Sequence, residues 1–145
     1  MWWWLANLAV SWALFALIWI VQLVHYPTFR FLTPSRFPAF HRHHTRSITL
    51  IVMPLMLIEL GISVWFAWHN REMTAYIFPL LLVTIIWGST FLIQIPLHRE
   101  LAKKQDKALI DKLISSNWLR TALWTLKAIW VTWHFSTLFQ PCFAF

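Results

Sequence analysis

Groups that can ligate a metal, move a proton or bind an oxygen anion cluster at four places in the sequence. These are Gln22 and His25; His41, His43, His44 and Arg46; Gln94 and His98; and Asn117 and Arg120. Gln22 and His25 are three residues apart, His41 and His44 three apart, and Gln94 and His98 four apart. On helices, each pair therefore shares a face. Neutral imidazole is the commonest metal ligand, and three protein ligands with an open position characterise catalytic sites. His25, His44 and His98 are thus a candidate ligand set for Cu, Fe or Zn. A bis-histidine haem between His25 and His98 is a second possibility. The lack of a Glu-x-x-His pair argues against a ferritin-like di-iron centre. As catalytic groups, His44 would act as general base, with Gln94, Asn117 and Arg120 orienting a substrate and stabilising developing negative charge. The structural alternative is that the histidines are polar caps in the headgroup region, Asn117 a helix N-cap and Arg120 a snorkelling cation.

Helices that cross a membrane would bring these groups together at one face. Of 145 residues, 59% are hydrophobic and 12% charged, about half the charge of a soluble domain, so an ordinary water-soluble fold is excluded. Apolar stretches about 20 residues long cover a hydrocarbon core at 1.5 Å per residue, and with no water to satisfy the backbone they must be helical. The spans fall at about 3–25, 45–68, 75–98 and 117–139. The first lacks a basic n-region and a small-residue cleavage site, so it reads as a span and not as a cleaved signal. The expected fold is all-α: one integral membrane domain over 1–145, built as an antiparallel four-helix bundle.

Loop charge gives the orientation. Arg30, Arg36, Arg42 and Arg46 follow the first span, and Arg99, Lys103, Lys104, Lys107 and Lys112 follow the third. The connection between spans two and three carries Arg71 alone. This asymmetry puts the first and third connections in the cytoplasm and both termini outside, as in a bacterial inner-membrane protein. Trp2, Trp3, Trp4, Trp65, Trp68 and Trp133 then form an outer interfacial belt. Residues 26–40, with three prolines, are expected to lie in the interface without forming a free helix. Residues 99–114 read as an amphipathic helix on the membrane surface. Topology accounts for the net charge of +7, so nucleic acid is not an expected partner. His41, His43, Arg42 and Arg46 are assigned to anionic lipid headgroups. Cys142 is a lone thiol and supports no disulfide.

Within the bilayer, Glu59 lies about 18 Å past Ser47 and Lys127 about 15 Å past Asn117 by helical rise. Opposite charges at matching depth in lipid should pair, because each alone is costly. That pair would fix how spans two and four pack, or serve in a proton relay. Tryptophans 12, 87, 124 and 130 are packing groups, or the walls of a pocket for a flat apolar ligand.

The runs HYPTF (25–29), FHRHHTR (40–46), MPLMLIE (53–59), QIPLH (94–98) and NWLRTALW (117–124) resemble a group of small bacterial four-span membrane proteins over nearly the whole chain. That group is in turn similar to the anthrone-oxygenase-like membrane family. The family carries a Pro-x-(Asn or His) element ending a late span and an Asn-x-x-Arg element opening the last one. Pro96, His98, Asn117 and Arg120 match those positions, with His98 standing where Asn is the expected residue. The resemblance implies no single assigned reaction. Together with the polar cluster it suggests an oxidoreductase, oxygenase-like, acting on a hydrophobic or aromatic substrate near the cytoplasmic face. The alternative is a non-catalytic subunit of a larger membrane complex or a lipid- or pigment-binding protein, with a homo-oligomer as a further option and Trp12 or Trp19 facing the partner.

Overall fold

The computed structural model describes residues 2–69 and 73–139, and these residues are helical apart from two short connections. Arg71, Glu72 and Cys142 lie outside them. Helix α1 (Trp2–Phe31) and helix α2 (Phe37–His69) are joined by a turn at 32–36. Helix α3 runs from Met73–Ser89 through a wide turn, Thr90–Gln94, into Ile95–Leu101. After a turn at 102–106, α4 (Lys107–Phe139) closes the bundle. Neighbours in sequence pack side by side and α4 returns against α1, which gives an up-and-down ring of four helices.

Three of these helices, α1, α2 and α3, are long and apolar enough to cross a membrane, the signature of a multi-pass membrane protein. Helix α4 is not among them. It carries Lys107, Asp111, Lys112, Arg120 and Lys127 along one chain of 33 residues. Its polar groups turn inward where they matter most: Asn117, Arg120, Thr121 and Lys127 are all buried. The outer surface is apolar, with Leu50, Leu57, Leu81, Leu92 and Ile129 exposed, as expected of helices that face lipid.

Two expectations for the connections are revised. Residues 26–40 are not an irregular interfacial stretch. Helix α1 continues to Phe31, and α2 begins at Phe37, eight residues before the expected start of the second span. Residues 99–114 are not a separate surface helix. Residues 99–101 end α3, and 107–114 are the first two turns of α4. The reason lies in the apolar positions of that stretch. Leu101, Ile110 and Leu113 are fully buried in the bundle core alongside Phe29 and Phe37, so they cover protein and not lipid. Asp106 supplies the N-cap, its carboxylate accepting from the backbone N–H of Ala108 at 2.9 Å and Leu109 at 3.3 Å. Asn117, eleven residues further on, is therefore mid-helix and is not the N-cap.

Proline shapes the site end of α1 and α3 in the same way. Pro27 and Pro96 cannot donate a backbone hydrogen bond, and a proline ring excludes the carbonyl four residues earlier. Each helix answers with one turn of π-helix just upstream, Val21–His25 and Thr90–Gln94. The backbone N–H of Tyr26 reaches back to the carbonyl of Val21, and that of Ile95 to Thr90. Such wide turns insert one residue without breaking the rod and recur at functional sites. Helix α2 packs mainly on the Met73–Ser89 part of α3, whereas the wide turn and Ile95–Leu101 pack on α4. The ends of α2 and α3 are thereby splayed.

Candidate functional site

The splay leaves a cavity of about 380 Å³ between the four helices, at the end that carries the 32–36 and 102–106 turns. That volume falls within the range of small-molecule sites, about 300–1,000 Å³. Its apolar wall comes from α1 and α2, including Leu17, Val21, Ile48, Val52 and Met56. Its polar wall is formed by Tyr26, His41, Thr90, Gln94, His98 and Arg120, and Trp124 adds an indole face. Thr49 on α2 and Ala102 beyond α3 also line it and are exposed, so the cavity opens between these two helices.

Three of the polar groups form a chain. The Tyr26 hydroxyl is hydrogen-bonded to His98 Nε2 at 3.1 Å, and His98 Nδ1 is hydrogen-bonded to His41 Nε2 at 3.1 Å. A neutral imidazole has one N–H and one lone pair, so His98 can accept from one neighbour only while donating to the other. Shifting both protons one step along the chain moves a proton between Tyr26 and His41 without moving a heavy atom. His41 is held by stacking on Phe37 at 5.4 Å and by the edge of Phe29. Tyr26 and Phe29 pack together at 5.8 Å.

Arg120 forms the floor. Its residue is 8% exposed, its guanidinium lies 5.3 Å over the ring of Trp124, and Nη1 makes a long 3.4 Å bond to Thr90 Oγ1. It also faces the Tyr26 hydroxyl. Its Nε has no partner, and the side-chain oxygen of Gln94 has none either. Gln94 is held from the other side, its amide nitrogen donating to Ser116 Oγ at 3.1 Å.

The remaining expected site residues are placed elsewhere. Asn117 lies in the α1–α4 interface, donating from Nδ2 to Gln22 Oε1 at 2.7 Å, while Gln22 donates to the carbonyl of Ile114 at 3.2 Å. It clamps two helices and does not line the cavity. His44 is buried between His25, Tyr26 and Phe29, also off the cavity wall. Of the expected ligand trio, the ring centroids of His25 and His44 are 5.3 Å apart and those of His44 and His98 6.5 Å, while His98 has both nitrogens hydrogen-bonded, to Tyr26 and His41. Among the described residues, no three His, Cys, Asp or Glu side chains are grouped to hold a metal ion. His41, assigned from sequence to headgroups, is instead part of the chain, and Tyr26 joins it as a residue that the sequence pattern of paired polar groups does not mark. Its signal was the HYP run itself, a tyrosine set just before a proline on the same helix as Gln22.

Below the cavity lies a separate closed network. Lys127 Nζ is 2.9 Å from Glu59 Oε1, donates to Ser11 Oγ at 2.9 Å and reaches Asn7 Oδ1 at 3.4 Å. Trp124 Nε1 donates to Glu59 Oε2 at 3.1 Å. Glu59 and Lys127 are both fully buried. This network ties α2 and α1 to α4, with Trp124 as the partition between ion pair and cavity. Compared with known proteins, the chain matches no family model, no curated protein and no solved structure.

Proposed function

We propose that the chain is a small membrane oxidoreductase, oxygenase-like, which takes a hydrophobic or aromatic substrate into the cavity between α2 and α3. The observation that carries this reading is the Tyr26–His98–His41 chain on the wall of a 380 Å³ cavity whose opposite wall is apolar. A substrate entering from the lipid would bury its apolar body against α1 and α2. The hydrogen-bonded chain would then remove a proton from it, passing that proton toward His41. The electron pair left behind makes the substrate electron-rich, and dioxygen is the oxidant that would accept it. Arg120 would hold the substrate's oxygen as negative charge develops there, and the free side-chain oxygen of Gln94 would accept a hydrogen bond from a substrate hydroxyl. In this reading Tyr26, His98, His41, Gln94 and Arg120 carry the site, and His44 and Asn117 act through packing.

The topology proposed for this function has four spans, with α4 crossing as the fourth member of the ring. The 32–36 and 102–106 turns face the cytoplasm of a bacterial inner membrane. The nine cations that follow spans one and three support that orientation. The metal-free route is favoured over a Cu, Fe, Zn or haem centre because His98 has no ring nitrogen left to give. The indole N–H of Trp12 donates to Thr132 at 2.9 Å and that of Trp19 to Thr125 at 3.1 Å, so neither indole N–H is offered to a partner subunit.

The test is dioxygen uptake by the purified protein in nanodiscs with a panel of hydroquinones and anthrones. Uptake above the protein-free rate is expected for at least one of them, falling about 100-fold in Tyr26→Phe and His98→Ala, the scale of a lost general base. No uptake across the panel would sink the oxidoreductase reading. Elemental analysis of the same samples decides the route: stoichiometric Cu, Fe or Zn that disappears in His98→Ala would replace the metal-free mechanism.

A further inference from the structure

Among the described residues two cations, Arg120 and Lys127, are buried in this bundle, and one of them has its anion. Lys127 meets Glu59 at 2.9 Å and two further oxygen acceptors, so its charge is compensated on every side. Arg120 has a single long bond to a neutral hydroxyl, the ring of Trp124 and the neighbouring phenol. A charge taken out of water without a counter-charge is costly, and lipid makes the cost greater.

The described acids are otherwise engaged. Glu59 belongs to Lys127, Glu100 is paired with Lys103 at 2.8 Å, and Asp111 is paired with Arg30 at 2.7 Å. Asp106 caps α4, and Glu72 lies outside the described residues. Among the described residues, therefore, no carboxylate neutralises Arg120. The unfilled positions converge on the cavity. Arg120 lines it with its Nε unbonded, and Arg99, exposed at the mouth, lines it too. A guanidinium presents a planar fork of donors, a match for the two oxygens of a carboxylate or phosphate.

We infer that the cavity binds an amphiphile with an anionic oxygen headgroup, which Arg120 receives through its guanidinium while the apolar tail lies along α1 and α2 toward the mouth between α2 and α3. The anion absent from the protein is supplied by the ligand. Two sources share this chemistry, a free fatty-acid-like carboxylate and the phosphate of a lipid. This inference rests on the reading of the cavity as a ligand site, and specifies the charge of what enters it.

The experiment is native mass spectrometry of the full chain released from a neutral maltoside detergent. Four probes with the same dodecyl tail are added separately: dodecanoate, dodecyl phosphate, dodecanol and dodecyltrimethylammonium. The wild type is expected to bind at least one of the two anions about tenfold more tightly than the alcohol and to exclude the ammonium, about 1.4 kcal/mol of charge recognition. The tighter anion identifies the source, free acid or lipid phosphate. In Arg120→Gln the preference is expected to shrink below about twofold while dodecanol binding persists, which reports a folded cavity. The wild-type series stands alone if that variant cannot be purified. Equal binding of alcohol and anions by the wild type, or an anion preference that survives in Arg120→Gln, would overturn the inference and leave the cavity reading in place. No binding of any probe would overturn both.

Discussion

Arg120 and Lys127 stand two helical turns apart on α4, and the difference in their surroundings separates structure from site. Lys127 sits in a network complete enough that removing one member leaves a bare charge in the core. Lys127→Met or Glu59→Gln alone is expected to cost about 3–5 kcal/mol. The double substitution should recover most of that, and denaturation of the detergent-solubilised variants would show it. No recovery in the double variant would mean that the pair is not the interaction being lost. Asn117 gives a finer discrimination. Its substitution by Ala removes the 2.7 Å bond that clamps Gln22, at about 1–3 kcal/mol for a buried polar partner left alone. The order of affinity among the dodecyl probes should be unchanged, whereas a direct contact with the ligand would alter it.

How much of this could be read from the residue string differs from group to group. Glu59 and Lys127 could be matched by counting depth along two helices, and the structure has them in contact. Gln94 and Arg120 could be placed at one end of the bundle for the same reason. Face counting failed where the helices are not regular. The one-residue insertion in a π turn rotates everything beyond it, so spacing three or four apart no longer fixes which groups meet across the bundle. His41 is drawn into the cavity and His44 is left outside it, a choice set by side-chain packing around Phe29 and Phe37.

The two wide turns are the devices that aim the site. Read as a break, Pro27 ends a helix at its polar end; read with the turn before it, the proline lets α1 carry Tyr26 inward and continue to Phe31. In the same way Thr90–Gln94 turns both Gln94 and His98 toward α1 and α4. Leu92 lies in that turn with its side chain largely exposed, so deleting it removes little packing. Deletion should rotate Ile95–Leu101 by about 100° relative to Met73–Ser89, one residue of helical twist. Circular dichroism should report unchanged helix content, and native mass spectrometry a loss of probe binding. Binding at wild-type strength would show that the inserted residue does not position the site.

At the level of the bundle, the molecule divides into a wet-chemistry end and an aromatic end. Trp3 stacks on Trp65 at 5.2 Å, and Trp4 packs among Phe66, Tyr76 and His134, a belt of rings suited to a membrane interface. Three helices are apolar enough to be recognised as spans from composition; α4 is not, because its inward face carries the polar groups that the other three enclose. The expected arrangement has both site-end turns on one side of the membrane. Cysteines introduced singly at Ser35 and Lys104, in a Cys142→Ser background, should react with an impermeant maleimide from the cytoplasmic side only. One introduced at His69 should react from the opposite side. Labelling of Ser35→Cys and Lys104→Cys from different sides would mean that α2 and α3 do not both cross.

The central claim is that the space between α2 and α3 exists to hold a ligand. Its most direct test is native mass spectrometry of the protein taken straight from its own membrane, comparing wild type with Thr49→Trp. Thr49 lies on the cavity wall at the mouth and takes no part in the Tyr26–His98–His41 chain, so the larger ring should fill the space while leaving that chain intact. A ligand-binding bundle predicts an added mass on the wild type that is absent or strongly depleted in Thr49→Trp, with both proteins equally folded. The same added mass at the same occupancy in both, or a bare chain in both, would contradict it.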